Sequence, residues 1–406
     1  MTAVSAHAAT DKPQERHTIA IVIGHPFGGI RRHVHALLFG LDPRQFRFVY
    51  FYPPARLDKR GLADIELFAR QPNIVLSPLR HVETKPHRSD LANLAQIRSV
   101  SRREHCALYH GHGAKGGLYA RLARLLNGGK AIYTPHGGVI HPQFGRVEHQ
   151  VYWAIEKLLR PLTHHFVAES GYSQSALVKQ LSLPPDRCTL IYNGVTPNAG
   201  DEPRTPQGRT AARIAVIGMI RHEKGQDIAI RVARHLKDRR VAFDMIIVGD
   251  GPMRSAIEAE ARALKVDDIV SFTGDIDDVT PVLDDVDLVL IPSRHESFGY
   301  IALEAALRRR PVIAAAVGGL RETVLHGKTG ILVDDPSPAR LADVVAAAIA
   351  GTWAFDFDAA ETKTHQEKFL EETMLRSVAR IYHDLLSIRP QVIRTPPDMT
   401  QAYTSD

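Results

Sequence analysis

The stretch over residues 286–319 constrains the fold more than any other part of the chain. It begins with an apolar run, Val286–Ile291, which a proline closes, and this pattern predicts a buried parallel strand. A loop with Glu296 and Gly299 follows, and the apolar spacing over residues 300–309 then predicts a helix packed against a sheet. Strand, glycine turn and helix in this order are the repeating unit of a doubly wound α/β domain.

The start of the predicted helix is suited to bind a diphosphate. The backbone N–H groups of Phe298, Gly299 and Tyr300 have no partner within such a helix, and the positive end of the helix dipole points the same way. Glu296 and Glu304 flank this position, and carboxylates accept hydrogen bonds from hydroxyls such as those of a sugar and a ribose. The stretch therefore predicts a nucleotide-sugar site.

The same stretch resembles the donor-site signature of glycosyltransferase family 4. The family pattern is a glutamate, seven residues and a second glutamate, with Phe-Gly between them and Gly-Gly after the next strand; here it reads E-S-F-G-Y-I-A-L-E and later V-G-G. The resemblance implies that Glu296 lies by the transferred sugar, that Ser297 lines the donor site, and that Glu304 binds the ribose hydroxyls. Alternatively, Glu304 is a solvated helix charge and Glu296 a helix cap.

Length and composition predict two domains. The 406 residues are about twice the length of a typical domain, and a hydrophobic content of 44% with 24% charged residues is that of an ordinary globular protein. The first predicted domain, on the acceptor side, spans 18–197 and follows a disordered lead-in over 1–17. A linker over 198–209 connects it to a donor domain over 210–372. A helix over 373–388 is predicted to pack back on the first domain, and a loose tail over 389–406 follows it.

The cysteines and the N-terminal segment predict a cytoplasmic protein. Cys106 and Cys188 lie far apart without a partner spacing, so neither a disulfide framework nor a zinc cluster is expected and a reducing compartment fits. Residues 1–17 lack the apolar core of a signal peptide, and no apolar run approaches the length of a membrane span.

Charge is divided unevenly along the chain. Residues 1–200 hold 25 Lys and Arg against 13 Asp and Glu, a net charge of +12, whereas residues 201–406 hold 26 against 32, a net charge of −6. An anionic membrane surface or lipid carrier is a candidate partner of the basic half, which would place the protein at the inner face of the membrane. No nucleic-acid partner is expected, because no DNA- or RNA-reading module accompanies the charge. The alternative is basic residues scattered over a solvated surface.

A glycine-rich turn opens the first domain. His17–Ile23 predicts a buried strand, and the turn with Gly28 and Gly29 precedes an amphipathic helix from Ile30. The turn is neither a Walker loop nor a dinucleotide fingerprint. It is similar to the Gly-Gly loop of family 4, which implies that it faces the donor phosphates across the interdomain cleft. A purely structural turn is the alternative.

A later strand of the first domain ends in histidines. The strand from Cys106 is predicted to run into a histidine- and glycine-rich loop before a helix over 118–126. The pair His110 and His112 suggests zinc, but no third ligand follows at a compact spacing, so no metal is expected. The resemblance implies that His112 lies near the reacting centre and donates to the sugar or its leaving phosphate; a satisfied loop histidine is the alternative. A helix predicted over 141–160 is expected to contact the acceptor.

Two cations follow the first strand of the second domain, which the sequence predicts to end at Gly218. Arg221 and Lys224 at a strand end, next to a helix start, suit a diphosphate. Family 4 most often has its arginine where this chain has Met219, so Lys224 matches the family pattern and Arg221 is a shifted substitute. A solvated basic turn is the alternative.

Glycine turns follow the next two strands of the second domain. Gly249 and Gly251 lie in a Gly-Asp-Gly-Pro exit, and the loop with Gly274 and Ile276 resembles the family segment whose backbone pairs with the nucleobase. Backbone pairing leaves few marks in the side chains, so uridine and guanosine are not distinguished.

Together these features resemble a retaining glycosyltransferase of the GT-B fold, with two doubly wound Rossmann-like α/β domains facing across a cleft. The resemblance implies transfer of a sugar from a UDP- or GDP-sugar to a glycan, glycolipid or lipid-linked acceptor in surface polysaccharide or glycolipid biosynthesis, without a cofactor or a metal. Arg221, Lys224 and helix N termini would stabilise the leaving diphosphate, and Glu296 would orient the sugar. A non-hydrolysing sugar-nucleotide epimerase and a non-catalytic polyanion-binding protein are the alternatives.

Overall fold

The chain was analysed as a computed structural model, which describes residues 16–83, 85–137, 140, 146–197 and 209–387. Residues 1–15 of the predicted lead-in, residues 198–208 of the predicted linker and the predicted tail over 389–406 lie outside the described residues. The described part contains two parallel sheets, of seven and six strands, whose strands alternate with helices. This architecture confirms the predicted fold class of two Rossmann-like α/β domains.

The first sheet consists of β1 His17–Ile23, β2 Phe46–Tyr52, β3 Ile74–Pro78, β4 Leu108–His112, β5 Lys130–Thr134, β6 His165–Ala168 and β7 Cys188–Leu190. The helices after its strands are α1 Gly28–Gly40, α2 Lys59–Ala69, α3 Ser89–Arg103, α4 Gly113–Asn127, α5 Arg146–Leu159 and α6 Gly171–Leu181. The spatial order is β3-β2-β1-β4-β5-β6-β7. The strand order reverses between β1 and β4, which is therefore the switch point of this sheet.

The second sheet consists of β8 Ala212–Ile217, β9 Phe243–Val248, β10 Val270–Gly274, β11 Leu288–Ile291, β12 Val312–Ala315 and β13 Gly330–Val333. The remaining helices are α7 Gln226–Asp238, α8 Arg254–Ala263, α9 Thr280–Asp284, α10 Tyr300–Leu307, α11 Leu320–Thr323, α12 Pro338–Ile349, α13 Ala360–Glu367 and α14 Glu371–Leu386. The order β10-β9-β8-β11-β12-β13 places the switch point between β8 and β11. No helix in the described part of the chain is long and apolar enough to span a membrane.

Strands β1 and β11 are apolar on both faces, as expected where helices cover both faces of a parallel sheet. Residues 19–23 of β1 are fully buried, and Val289 and Leu290 of β11 are too. β13 is an edge strand at the end of the second sheet. Ser170 caps the N terminus of α6, since its side chain accepts from the Ser173 N–H over 3.1 Å.

Two glycine-rich segments predicted as loops belong to helices instead. Helix α4 begins at Gly113, directly after β4, so the predicted histidine- and glycine-rich loop before a helix at residue 118 is wrong. A Cβ at Gly116 would lie 2.3 Å from the Val22 carbonyl oxygen, so this glycine serves close packing of α4 on β1. Gly28 and Gly29 are likewise the first residues of α1, two positions before the predicted helix start.

Two compact units divide the chain within β5. The first contains the described residues up to Ile132 and those from Tyr382 onward, and the second contains Tyr133–Ile381. In the first unit the end of α14 packs on the sheet. The Tyr382 hydroxyl and His110 Nδ1 lie in a buried hydrogen bond of 2.7 Å, and the Tyr382 ring meets Phe46 edge-on at 5.7 Å between centroids. The predicted domain limits stay a prediction.

Candidate functional site

The carboxyl ends of β8 and β11 carry the residues that the sequence assigned to the donor. The two strands are neighbours in the second sheet and flank its switch point, where ligand sites of open parallel sheets form. The segment after β8 contains a 3-10 turn, His222–Lys224, and the loop after β11 contains Glu296. Lys224 and Glu296 therefore lie at the same edge of the second sheet.

Lys224 and Glu296 form an ion pair at this switch point. Lys224 Nζ donates to Glu296 Oε2 over 2.5 Å, and both side chains are partly buried. The pair joins segments that are far apart in the sequence, so the structure brings together a residue predicted to bind phosphate and one predicted to bind sugar. The ammonium of Lys224 can neutralise a phosphate, and the carboxylate of Glu296 beside it can accept hydrogen bonds from sugar hydroxyls.

The Gly-Gly pair of the signature supports the backbone of Glu296. The Gly319 N–H donates to the Glu296 carbonyl oxygen over 2.9 Å. A Cβ at Gly318 would lie 1.8 Å from that same oxygen, which is a collision, and Gly318 also has a φ of +50°. The two glycines after β12 are thus required because the loop after β11 passes directly over them.

Helix α10 begins where the sequence predicts. Gly299 is its N-cap and has a φ of +100°, a conformation that residues with a side chain rarely adopt. Phe298 is buried in an apolar cluster with Leu303, which anchors the loop before the helix. Glu304 lies on α10, one turn after Tyr300, and is half-buried. Its role in binding ribose stays a prediction.

The predicted glycines of β8 to β10 lie side by side at one edge of the second sheet. The Gly249 N–H donates to the Gly274 carbonyl over 2.8 Å, and a Cβ at Gly249 would lie 2.3 Å from the Gly218 carbonyl oxygen. A Cβ at Gly251 would lie 2.3 Å from the Ile220 carbonyl oxygen. Ile276 packs partly buried against the core beneath this edge. The glycines let three strand ends approach closely, and their contacts to a nucleotide stay a prediction.

Arg221 occupies a more open position than Lys224. It precedes the 3-10 turn as its N-cap, its side chain is exposed, and its Nε lies 3.7 Å from Glu223 Oε2. A single long ion pair at the surface holds a side chain weakly. Its part in the diphosphate clamp stays a prediction.

Sequence reasoning missed Arg294 and Asp227, which pair at the same switch point. Arg294 Nη1 donates to Asp227 Oδ1 over 2.7 Å, and Nη2 donates to Oδ2 over 2.5 Å. The sequence does show that Arg294 follows a predicted strand and that Asp227 lies at the start of a predicted helix. Charges at such positions are common, and only the fold shows that these two face each other.

His112 is fully buried at the switch point of the first sheet. It is the last residue of β4 and lies beside Ile23 of β1. Its ring centroid is 4.0 Å from that of His110 and 5.3 Å from that of His33 on α1. The absence of a third histidine at a compact spacing was thus a poor guide, because His33 reaches His112 from another element. The predicted absence of a metal and the predicted role of His112 stay predictions.

A second charged network, also missed by sequence reasoning, lies near this switch point. Lys115 Nζ donates to Asp90 over 2.6 Å, and the Tyr119 hydroxyl donates to the same carboxylate over 2.5 Å. Arg56 Nη1 lies 3.1 Å from His25 Nδ1. Burial, followed by the charges of Arg56 and Lys115, lowers the pKa of His25. His25 is therefore neutral near pH 7 and accepts from Arg56 through Nδ1, because a guanidinium can only donate.

Two family models match adjoining parts of the chain. Residues 27–199 match Glycosyltransferase Family 4, and residues 202–359 match Glycosyl transferases group 1. The second match contains the ion pair of Lys224 and Glu296 and the glycines around it.

Several curated glycosyltransferases are similar in sequence. The 2-deoxystreptamine glucosyltransferase of Streptomyces kanamyceticus is 28% identical over 227 residues, which are 53% of this chain and 57% of that protein. The 2-deoxystreptamine N-acetyl-D-glucosaminyltransferase of Niallia circulans is 36% identical over 32% of this chain and 34% of its own length. The D-inositol 3-phosphate glycosyltransferase of Salinispora tropica is 29% identical over 71% of this chain and 70% of its own. The chain thus spans about half or less of the first two relatives.

Solved structures share the whole fold. Anabaena Alr3699/HepE, solved in complex with UDP and glucose, has a TM-score of 0.74 at 18% identity, covering 91% of this chain and 99% of that one. The sucrose-phosphate synthase of Thermosynechococcus elongatus has a TM-score of 0.73 at 19% identity, covering 92% and 100%. Both family models are models of glycosyltransferases, and the solved structures show that the chain has the GT-B fold.

Proposed function

We propose that this protein transfers a sugar from a nucleoside diphosphate sugar, a UDP- or GDP-sugar, to an acceptor hydroxyl with retention of the anomeric configuration and without a metal. The observation that carries the proposal is the ion pair of Lys224 and Glu296 at the switch point, directly before the N terminus of α10. A structural neighbour named as a complex with UDP and glucose supports the class of donor.

The proposed chemistry uses one side of the site for the leaving group and the other for the sugar. As the bond between the anomeric carbon and the β-phosphate oxygen breaks, Lys224 and the N–H groups at the start of α10 stabilise the charge that develops on the diphosphate. Glu296 orients the sugar and favours positive charge on its ring carbon. The departing phosphate oxygen takes the proton of the acceptor hydroxyl on the same face, and the new bond forms there. Glu304 holds the ribose.

A thermal-shift comparison of UDP, GDP and ADP tests the donor site. We expect one nucleotide to raise the melting temperature selectively, and the shift to persist with a chelator. Proton NMR of the product formed from the matching nucleotide sugar then reports the anomeric configuration. No shift with any nucleotide would contradict the donor site, and a chelator-sensitive shift would contradict metal independence. Conversion of a sugar nucleotide without an acceptor would favour an epimerase.

The acceptor we propose is a glycan, a glycolipid or a lipid-linked sugar, in surface polysaccharide or glycolipid assembly at the cytoplasmic face of a membrane. Helix α5 supports contact with a membrane through an exposed apolar stripe: Val147 is 75%, Val151 51%, Ile155 40% and Leu158 77% exposed. These residues are three or four positions apart and lie on one face of the helix. Four of the ten large apolar side chains exposed in the described part of the chain lie on α5 alone.

Charge next to the stripe favours an anionic bilayer as its occupant. The exposed charged side chains over residues 147–160 are Lys157 and Arg160, both basic, whereas Glu148 is half-buried and Glu156 is buried. A helix with an apolar face and basic residues beside it binds at the surface of anionic lipid.

Flotation with vesicles tests this surface. We expect binding to vesicles of phosphatidylcholine with phosphatidylglycerol, weaker binding to phosphatidylcholine alone, and about a tenfold loss with Leu158→Glu. Leu91→Glu is the matched control, because Leu91 of α3 is also 77% exposed. Equal losses in both variants, or a dimer in solution that Leu158→Glu dissociates, would contradict a membrane as the occupant.

A further inference from the structure

Arg294 joins the two segments that carry the ion pair of Lys224 and Glu296. Besides its two bonds to the Asp227 carboxylate, Arg294 Nη1 donates to the His222 carbonyl over 2.9 Å. The guanidinium therefore contacts the chain on both sides of Lys224, two residues before it and three residues after it.

Backbone hydrogen bonds join the same two segments. The Arg294 N–H donates to the Glu223 carbonyl over 2.8 Å, and the His295 N–H donates to the same oxygen over 3.2 Å. Glu223 directly precedes Lys224, and His295 directly precedes Glu296. Each partner of the ion pair thus lies next to a residue that is bonded to the opposite segment.

The turn also approaches the end of β11 closely. A Cβ at Gly225 would lie 2.2 Å from the Pro292 carbonyl oxygen, so only a glycine fits directly after Lys224. Arg294 follows two residues after Pro292. The close approach of Gly225 to Pro292 and the hydrogen bonds of Arg294 therefore fix the position of Lys224 from two sides.

The charge of Arg294 is already satisfied within the protein. Burial alone would raise the pKa of Asp227, but the hydrogen bonds and charge of Arg294 outweigh burial and lower it, so the carboxylate is ionised near pH 7. Two parallel bonds to a carboxylate and one to a carbonyl use the planar geometry of a guanidinium, which a lysine cannot reproduce. The guanidinium thus holds protein groups and is not the cation that would meet the diphosphate.

We propose that Arg294, acting through Asp227 and the His222–Lys224 turn, is a positioning residue that sets the placement of Lys224 against Glu296. The inference rests on the proposed glycosyl transfer, and it adds a residue to that site which touches neither donor nor acceptor. A misplacement of a catalytic group by about 1 Å can lower a rate by about a hundredfold, so a residue of this kind has a large effect at a distance.

The test compares Arg294→Lys with a control arginine that also makes two hydrogen bonds to one aspartate. Arg308 binds Asp284 through two bonds of 2.6 Å in the same unit and is the matched arginine. We expect Arg294→Lys to lower kcat by tenfold or more while the nucleotide still binds, and Arg308→Lys to leave kcat within about threefold of wild type. Asp227→Asn is the second variant and should lower kcat in the same direction.

Coupling to Lys224 distinguishes positioning from a general structural role. In a Lys224→Ala background, Arg294→Lys should lower kcat by less than about threefold more, because the group that it positions is gone. Losses that multiply in the double variant, or a kcat of Arg294→Lys equal to that of Arg308→Lys, would overturn the proposal.

Hydrogen exchange tests the same connection without a donor. We expect Arg294→Lys to exchange faster than wild type over residues 219–226 and 293–297, and Arg308→Lys to leave these segments unchanged. Unchanged exchange in Arg294→Lys would refute the connection whatever the enzyme transfers. A wild-type protein that neither binds a nucleotide nor transfers a sugar, with the exchange result as expected, would instead refute the proposed function alone.

Discussion

Each compact unit has a lysine that pairs with a carboxylate near the switch point of its sheet, and the two pairs differ in their surroundings. In the first unit, the Asp90 carboxylate accepts from Lys115, from the Tyr119 hydroxyl and from the His87 N–H. Lys115 is buried, and its pair joins the starts of two helices, α3 and α4. In the second unit, Lys224 and Glu296 lie in two segments after neighbouring strands, and the Lys224 side chain is 24% exposed against 7% for Lys115.

The difference separates a pair that stabilises the fold from a pair that can bind a ligand. A buried lysine whose carboxylate has three donors gains little from exchanging its partner, since breaking such a network leaves buried charge. A partly exposed lysine held between two loops can turn to a phosphate at a much smaller cost. We therefore expect substitutions in the first pair to change stability and substitutions around the second to change transfer.

Lys224→Ala should give the largest effect on catalysis. We expect kcat to fall by two orders of magnitude or more, because a preorganised charge that stabilises the leaving diphosphate is lost. The measurement is the initial rate at saturating donor. Lys115→Ala is the counterpart and should instead lower the free energy of unfolding by about 3 kcal/mol, since Asp90 is left without its cation. A Lys224→Ala enzyme with near wild-type activity would break the comparison.

Gly318→Ala should disturb the second site through its backbone. The new Cβ would collide with the Glu296 carbonyl oxygen, so the loop has to move, and we expect kcat to fall by about tenfold or more. Gly351→Ala is the matched control: Gly351 has a φ of +75° and no heavy atom within 4 Å of its Cβ position. The control should cost about 1 kcal/mol of stability and leave transfer unchanged. Equal rates in the two variants would show that the loop tolerates the shift.

Tyr382→Phe should act on the first unit alone. It removes the buried hydrogen bond to His110, and we expect the free energy of unfolding, measured with urea, to fall by about 1–2 kcal/mol. The shift in melting temperature caused by the nucleotide should stay that of wild type, because Lys224, Glu296 and Glu304 belong to the second unit. A smaller nucleotide shift in this variant would show that the two regions are coupled.

The sequence was informative wherever a position along the chain implies a position in the fold. Apolar runs followed by glycines predict parallel strands, and the ends of parallel strands meet at one edge, so Lys224 and Glu296 could be assigned to one site before their contact was seen. The glycines themselves were ambiguous. Gly116 was predicted in a loop and lies in a helix, because close packing and chain turning require the same residue.

Contacts between side chains of distant segments were not predictable. Three such pairs are Arg294 with Asp227, Lys115 with Asp90 and His33 with His112. Each depends on which elements of the fold face each other, and no local sequence pattern records that. Such pairs follow from the three-dimensional packing, since a charged residue at a strand end is equally compatible with a solvated surface.

Acid titration should give the smallest effect and still separate the two regions. The pKa of Asp227 and that of Asp90 are both lowered. Burial alone would raise each pKa, but the groups that bind each carboxylate outweigh burial. The main partner is Arg294 at Asp227 and Lys115 at Asp90. Such a carboxylate stabilises the folded state above its unfolded pKa of about 3.9 and loses that contribution as the pH falls through the lower folded value. The deficit in unfolding free energy of Asp227→Asn, about 1 kcal/mol at pH 7, should therefore shrink below about pH 4, and Asp90→Asn should behave alike. Only Asp227→Asn should also slow transfer at pH 7, because only its partner, Arg294, adjoins the pair of Lys224 and Glu296. Slow transfer by both variants would contradict the distinction between the two regions.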